Sequence, residues 1–273
     1  MDRIQDPGAL AQVARQLRVP ILQMIAKANS GHPGGALSAV DIITALYLKH
    51  MKHDPANPNW NERDRFILSK GHGVPALYAV LAHCGYFPQD ELMGLRMVDS
   101  RMQGHPDRMK LPGIEASTGS LGQGLSIGLG MALAAKLDKI DSQVYVMMGD
   151  GEIQAGQIWE AMMAAPKLGA NNLTAILDYN KIQLDDRVEK ILDVGPVKEK
   201  AESFGWHVIE IDGHDFPAIV KALDDADAVT DKPVYIVANT VKGKGVSFME
   251  DNVKWHGVAP TPEELEQAVA ELQ

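Results

Sequence analysis

Cysteine is almost absent: Cys84 is the only one in 273 residues. A lone thiol cannot close an internal disulfide, which excludes the framework of small secreted domains and fits a reducing compartment. No His-Cys or Cys-Cys pair has the spacing of a zinc site. Positive charge is in deficit, with 26 Lys and Arg against 36 Asp and Glu, a net charge of −10. That leaves no global basic field for nucleic acid or anionic lipid. No uncharged run approaches the roughly 18 residues that a membrane span needs. The N-terminus, Met1 to Asp6, carries acids and no apolar core, so it does not read as a signal peptide. Internal repeats and low-complexity linkers are also missing. A soluble, cytoplasmic-type protein is expected, and 45% hydrophobic residues suit one large α/β domain with a full core.

The informative stretch runs from Val144 to Asp185. The apolar run Val144 to Met148 has the length of a buried strand and is broken by Gly149-Asp150-Gly151. A helical pattern follows, with Ile158, Trp159, Met162, Met163 and Leu168 on one face and Gly169 near its end. A second apolar run, Leu173 to Leu177, stops at Asp178-Tyr179-Asn180. Strand, helix, strand is a right-handed βαβ unit, so both strands end on the same sheet edge. Asp150 and Asn180 therefore fall side by side in the crevice where open α/β sheets bind ligands. A carboxylate and an amide oxygen there form half of a Mg²⁺ site, and the Ile182 carbonyl offers a third oxygen.

Elsewhere the pattern is again α/β. Ala9 to Ala28 reads as a helix that Pro20 must kink or interrupt. A second helix is expected from about Ser38 to His50, a short strand at Phe66 to Leu68, and helices at Pro75 to Cys84 and Gln89 to Met93. Glycines 119, 122, 124, 128 and 130 stand inside a helical pattern, each costing about 1 kcal/mol against alanine. Close approach of a cofactor at that helix N-terminus and of another helix along its length, or tight helix packing alone, would account for them. Strand-length runs at Trp206 to Ile211 and Pro233 to Val241 flank a helix from Phe216 to Val229, and a final helix spans Pro262 to Leu272. The fold class is therefore α/β, a doubly wound and mostly parallel sheet with helices on both faces.

Four histidines, His32, His72, His105 and His256, sit in Gly-rich or Pro-bordered loops. Imidazoles so placed hydrogen-bond hydroxyls and phosphates and move protons near neutral pH. His50, His53, His83, His207 and His214 lack that context and read as structural or surface residues. Lys242 and Lys244, after the last strand, face phosphate or solvent. Met93, Met97, Met102, Met147, Met148, Met162 and Met163 read as core filler.

These motifs together resemble the N-terminal, diphosphate-binding part of transketolase over essentially the whole chain. The matching segments are Ala28 to Gly34, Arg63 to Phe66, Ser69 to His72, Gly104 to Pro106, Thr118 to Gly124, Gly149 to Gly151 and Asn180 to Ile182. The resemblance implies a thiamine-diphosphate-binding fold, with residues 1–273 forming a single diphosphate-binding domain. It implies thiamine diphosphate with Mg²⁺ (or Ca²⁺ or Mn²⁺ in its place), the metal held by Asp150, Asn180 and the Ile182 carbonyl. Cofactor contacts are implied at His72, Gly119, Ser120, Leu121, Gly151, Glu160, Asn180 and Lys242. His32, His105 and His256 would face the substrate as catalytic residues.

Two departures stand out. Ala155 occupies a position where transketolases usually carry Glu, part of an acidic link between active sites whose other member here is Glu160. Alanine there, and the Lys242 to Gly245 stretch, instead resemble deoxyxylulose-phosphate synthase. The family's glutamate that protonates the aminopyrimidine belongs to a second domain, and the pyrimidine-binding and C-terminal domains are expected on a separate chain. The implied function is a two-carbon ketol transfer from a ketose, or ketose phosphate, to an aldose, active only with a separately encoded C-terminal subunit. A heterotetramer acting in carbohydrate metabolism of the pentose phosphate type is expected, with no nucleic-acid or membrane partner. The alternatives are synthase-like ketol transfer and a non-catalytic binding or regulatory role.

Overall fold

A computed structural model describes residues 3–273. Five strands form one sheet: β1 (Arg65–Leu68), β2 (Val144–Gly149), β3 (Leu173–Tyr179), β4 (His207–Asp212) and β5 (Val234–Asn239), in the order β1-β2-β3-β5-β4. All four pairings are parallel, so the strand ends collect on one edge, as the βαβ patterns require. The central strands are buried along almost their whole length, while β4, at the edge, alternates exposed and half-buried residues.

Apolar clusters cover both faces. On one face pack α1 (Pro7–Ala28), α2 (Pro33–Ala45), α3 (Val74–Cys84) and α8 (Phe216–Ala228), joined by α9 (Pro262–Leu272). On the other lie α4 (Gln123–Leu137), α5 (Gly156–Lys167) and α7 (Val197–Ser203). A short α6 (Val188–Leu192) follows β3. Residues Thr261 and Glu264 close a reciprocal capping box at the start of α9. Among the described residues, no helix is long and apolar enough to cross a membrane.

Several expectations are corrected. Helix α1 runs through Pro20 without interruption. Leu10, Leu17, Ile21 and Ile25 are buried on both sides of the proline, and that packing offsets the roughly 3 kcal/mol that an interior proline costs. Helix α2 starts at Pro33 rather than Ser38, because proline is well suited to the first helical position, and it ends in a π-type turn over Leu46–His50. Residues Gln89–Gly94 form a 3₁₀ turn. Met97 (40% exposed) and Met163 (58%) are surface residues, not core filler, whereas Met102, Met147, Met148 and Met162 are buried.

Packing explains two of the three glycines of α4, Gly124 and Gly128; an added Cβ on Gly130 would meet nothing within 4 Å. A Cβ on Gly128 would lie 2.3 Å from Val146 Cγ2 on β2, and one on Gly124 would lie 2.3 Å from Ser69 Oγ. Glycine lets this helix sit against the sheet and the loop after β1 at a distance no side chain allows.

Candidate active site

The register pairs Gly149 of β2 with Asp178 of β3, so Asp150 and Asn180 do emerge next to each other from adjacent strands. Asp150 is buried. Its Oδ1 accepts from the Gly151 N–H at 2.7 Å and its Oδ2 from the Lys181 N–H, which bridges the two strand ends. Lys181 takes a left-handed φ of 67°, and this turns the chain so that Ile182 lies beside Asn180. Asn180 donates its Nδ2 to Asp178 at 3.2 Å, so its Oδ1 is the oxygen presented toward Ile182, whose N–H it accepts at 3.2 Å. Burial and the neighbouring Asp178 charge push the Asp150 carboxyl up to about 6, against the pull of Lys242.

These atoms border a cavity of about 400 Å³, also lined by His32, His72, His105, Gly119, Leu121, Gly151, Lys242 and His256. That is within the usual range for a small-molecule site. The loop histidines converge: ring centroids of His32 and His72 are 5.1 Å apart, His32 and His256 5.6 Å, and His72 and His256 5.2 Å in a stacked pair. His105 packs against Gly119, whose added Cβ would meet its ring at 3.3 Å. All four are neutral at neutral pH. Burial, then Arg96, lowers His32 to about 4, and burial with Lys242 lowers His256 to about 3. Burial with Lys70 takes His72 well below its ordinary value, and burial with Arg96 lowers His105.

Lys242 sits at the junction. Its buried ammonium donates to the Ile182 carbonyl at 2.6 Å and contacts His256 Nδ1 at 2.9 Å. An ammonium has only protons to give, so His256 Nδ1 accepts and the neutral ring carries its proton on Nε2. Burial lowers Lys242 to about 8, opposed by Asp150. Lys244, by contrast, pairs with Glu250 at 3.3 Å away from the cavity, so only one of the two lysines belongs to the site. Ser120 and Glu160 are both exposed and outside the lining, so the fold does not bring them to the cavity with the other residues expected there. Ala155 abuts Gly122, whose added Cβ would lie 2.8 Å from its own.

Three charged residues escaped the sequence reading. Lys70 and Asp178 form a fully buried ion pair at the cavity floor; Lys70 also donates to the Gly35 carbonyl at 2.7 Å, and Asp178 accepts from Ser38 and Thr240. Burial opposes the Asp178 charge, but these donors hold its carboxyl below the usual range. Glu152 is the third, buried and also bordering the cavity. Their signal was position alone: each is a charge one to three residues from a strand terminus. The expected end of β3 at Leu177 hid Asp178, which lies inside the strand.

A parallel sheet with a carboxylate, an amide and a carbonyl oxygen at adjacent strand ends, beside a cavity of neutral imidazoles, defines a cofactor-binding α/β enzyme domain. Residues 10–272 match the family described as transketolase, thiamine diphosphate binding domain. The chain is 46% identical over 264 residues to the 6-deoxy-6-sulfo-D-fructose transketolase subunit of Clostridium sp. (strain MSTE9), covering 97% of this chain and 96% of that one. It is 42% identical over 255 residues to an apulose-4-phosphate transketolase subunit of Phocaeicola vulgatus, covering 93% and 90%. The transketolase of Campylobacter jejuni superposes with a TM-score of 0.91 at 36% identity, covering 97% of this chain but only 43% of that one. The chain belongs to the transketolase family as its thiamine-diphosphate-binding, N-terminal subunit. It is one part of a two-subunit transferase of ketol groups.

Proposed function

We propose that the chain holds the diphosphate end of thiamine diphosphate through a divalent metal, and that a second, pyrimidine-binding subunit completes the site. The observation that carries this is the convergence of Asp150, Asn180 and Ile182 on one cavity with three clustered imidazoles. The donor set fits the ion. It is all hard oxygen, as Mg²⁺ prefers, and Asp150 is a buried anion whose hydrogen-bond partners among the described residues are two backbone N–H groups. Among the described residues, no group of three His, Cys, Asp or Glu side chains can hold a metal, so amide and backbone oxygens must contribute. Ca²⁺ or Mn²⁺ would satisfy the same donors.

When bound, thiamine diphosphate supplies the nucleophilic carbon and electron sink of the ketol transfer. The chain's own residues bind and orient. Lys242 and His72 offer donors to the diphosphate, while Gly119 and Leu121 form the wall beside the ring. His32, His105 and His256 face the sugar, with His256 Nε2–H as a fixed hydroxyl donor. The substrate class is a ketose donor and an aldose acceptor. The relatives' names point to an anionic group, phosphate or sulfonate, at the far end of the sugar. We place the protein in the cytoplasm, in a heterotetramer of two copies of each subunit.

The test is kinetic. In the assembly with the second subunit, H32A and H105A are each expected to lower kcat/KM about tenfold, the scale of one lost hydrogen bond. Unchanged turnover in both would remove the histidines from the substrate site.

A further inference from the structure

The two loops that build the cavity wall are tied together by one carboxylate that does not itself belong to the metal or histidine sets. Glu152 lies in the 3₁₀ turn Glu152–Gln154, directly after Gly149-Asp150-Gly151, and is 3% exposed. Its Oε1 accepts from Ser69 Oγ and from the Gly122 N–H at 2.9 Å, and its Oε2 accepts from the Gly149 N–H at 3.0 Å. Ser69 Oγ in turn accepts from the Gly124 N–H at 3.1 Å. A single side chain thus joins the end of β2, the loop that carries Lys70 and His72, and the turn that carries Gly119 and Leu121.

The consequence for α4 is specific. No side chain of its own segment caps the helix, and its N-cap is Gly122 in the left-handed region at φ 88°. Ser69 and Glu152 supply the acceptors instead, placing a negative charge where the helix dipole favours one. The Gly122 and Gly124 N–H groups at the helix start are thereby turned to internal structure. A second join reinforces the first: Thr118 Oγ1 donates to the Leu68 carbonyl at 2.7 Å, and a Cβ on Gly71 would lie 2.8 Å from that hydroxyl.

We propose that Glu152 is a positioning residue for the cofactor site, setting the Lys70–His72 loop and the Gly119–Leu121 turn at fixed distances from Asp150. This rests on the reading of the cavity as a thiamine diphosphate site. Removing the carboxylate loosens both loops at once and leaves the Thr118–Leu68 join as the remaining tie, because among the described residues no other side chain accepts from both Ser69 and Gly122. E152Q keeps the length and one acceptor oxygen but sets an NH₂ group against a backbone N–H on the other side; E152A removes every acceptor.

Two measurements test it. Hydrogen exchange on the full chain without cofactor reads the loops directly. E152A is expected to lose protection together at Gly122, Gly124 and residues 69–73, with E152Q intermediate and β3 unchanged. Cofactor titration of the assembled enzyme is then expected to show at least a tenfold weaker thiamine diphosphate affinity for E152A. S69A should lose affinity in the same direction, and the double variant should lose less than the two single losses combined, because the Ser69–Glu152 bond is shared. Unchanged exchange in the two loops, or a lowered Tm with native exchange and native affinity, would overturn the proposal. If the wild-type assembly bound no thiamine diphosphate, the cofactor reading would fail instead, and the exchange result would still decide whether Glu152 sets the loops.

Discussion

Asp150→Asn is expected to cut divalent-metal affinity by more than about 100-fold, beyond the range seen when only an outer-shell partner is lost. Asparagine keeps the size of the side chain but not the charge, and it sets an NH₂ group against one of the two N–H donors, Gly151 or Lys181, that the carboxylate accepts. The pH dependence follows from the same group. Its folded value of about 6 lies above the ordinary 3.8, so ionisation of Asp150 costs the folded chain stability. That cost, on the order of 3 kcal/mol, is fully present above about pH 6 and relieved as pH falls toward the ordinary value. A divalent cation reverses the balance, because it binds only the ionised form. Mn²⁺ titration followed by electron paramagnetic resonance is therefore expected to show affinity falling about tenfold per pH unit below about 6, with a plateau above. A flat profile, or native affinity in D150N, would remove Asp150 from the metal site.

Lys242→Met is the second large effect. Methionine fills the space but removes the ammonium from the Ile182 carbonyl and from His256 Nδ1. Thiamine diphosphate affinity in the assembled enzyme is expected to drop between about tenfold and a hundredfold, the worth of one charge-assisted hydrogen bond. Two further signs separate this from general damage. Lys242 opposes the upward push on Asp150, so its loss should move the Mn²⁺ midpoint to higher pH. Its own value of about 8 lies below the ordinary 10.5, so the ammonium that meets an anion is lost as pH rises past about 8. Wild-type cofactor affinity should decline there, and that alkaline limb should be missing in K242M. Native affinity with an intact alkaline limb would place the diphosphate elsewhere.

How much of this was legible beforehand depends on what each feature rests on. Asp150 and Asn180 could be paired because strand order and handedness of a βαβ unit follow from local sequence. The loop histidines stood out by their Gly and Pro neighbours, and a mostly parallel sheet followed from helix-strand alternation, where the structure has four parallel pairings. What was hidden is long-range. Lys70 and Asp178 are 108 positions apart, and nothing in either neighbourhood announces a buried ion pair. Glu152 reads as one more acid after a turn until the fold brings Ser69 and Gly122 to it. Close approach holds for two of the α4 glycines, but Gly124 and Gly128 face Ser69 and Val146 of β2 rather than a ligand or another helix, and Gly130 faces nothing within 4 Å. Of the two lysines after β5, only geometry could assign Lys242 inward and Lys244 to Glu250.

In the proposed function this chain supplies half of a thiamine diphosphate site. Calorimetric titration of thiamine diphosphate with Mg²⁺, into the chain alone and into its assembly with the second subunit, tests that claim most directly. Weak or undetectable heat with the chain alone, and saturable tight binding by the assembly, are the expected results. Tight binding by the chain alone, or none by the pair, would contradict it.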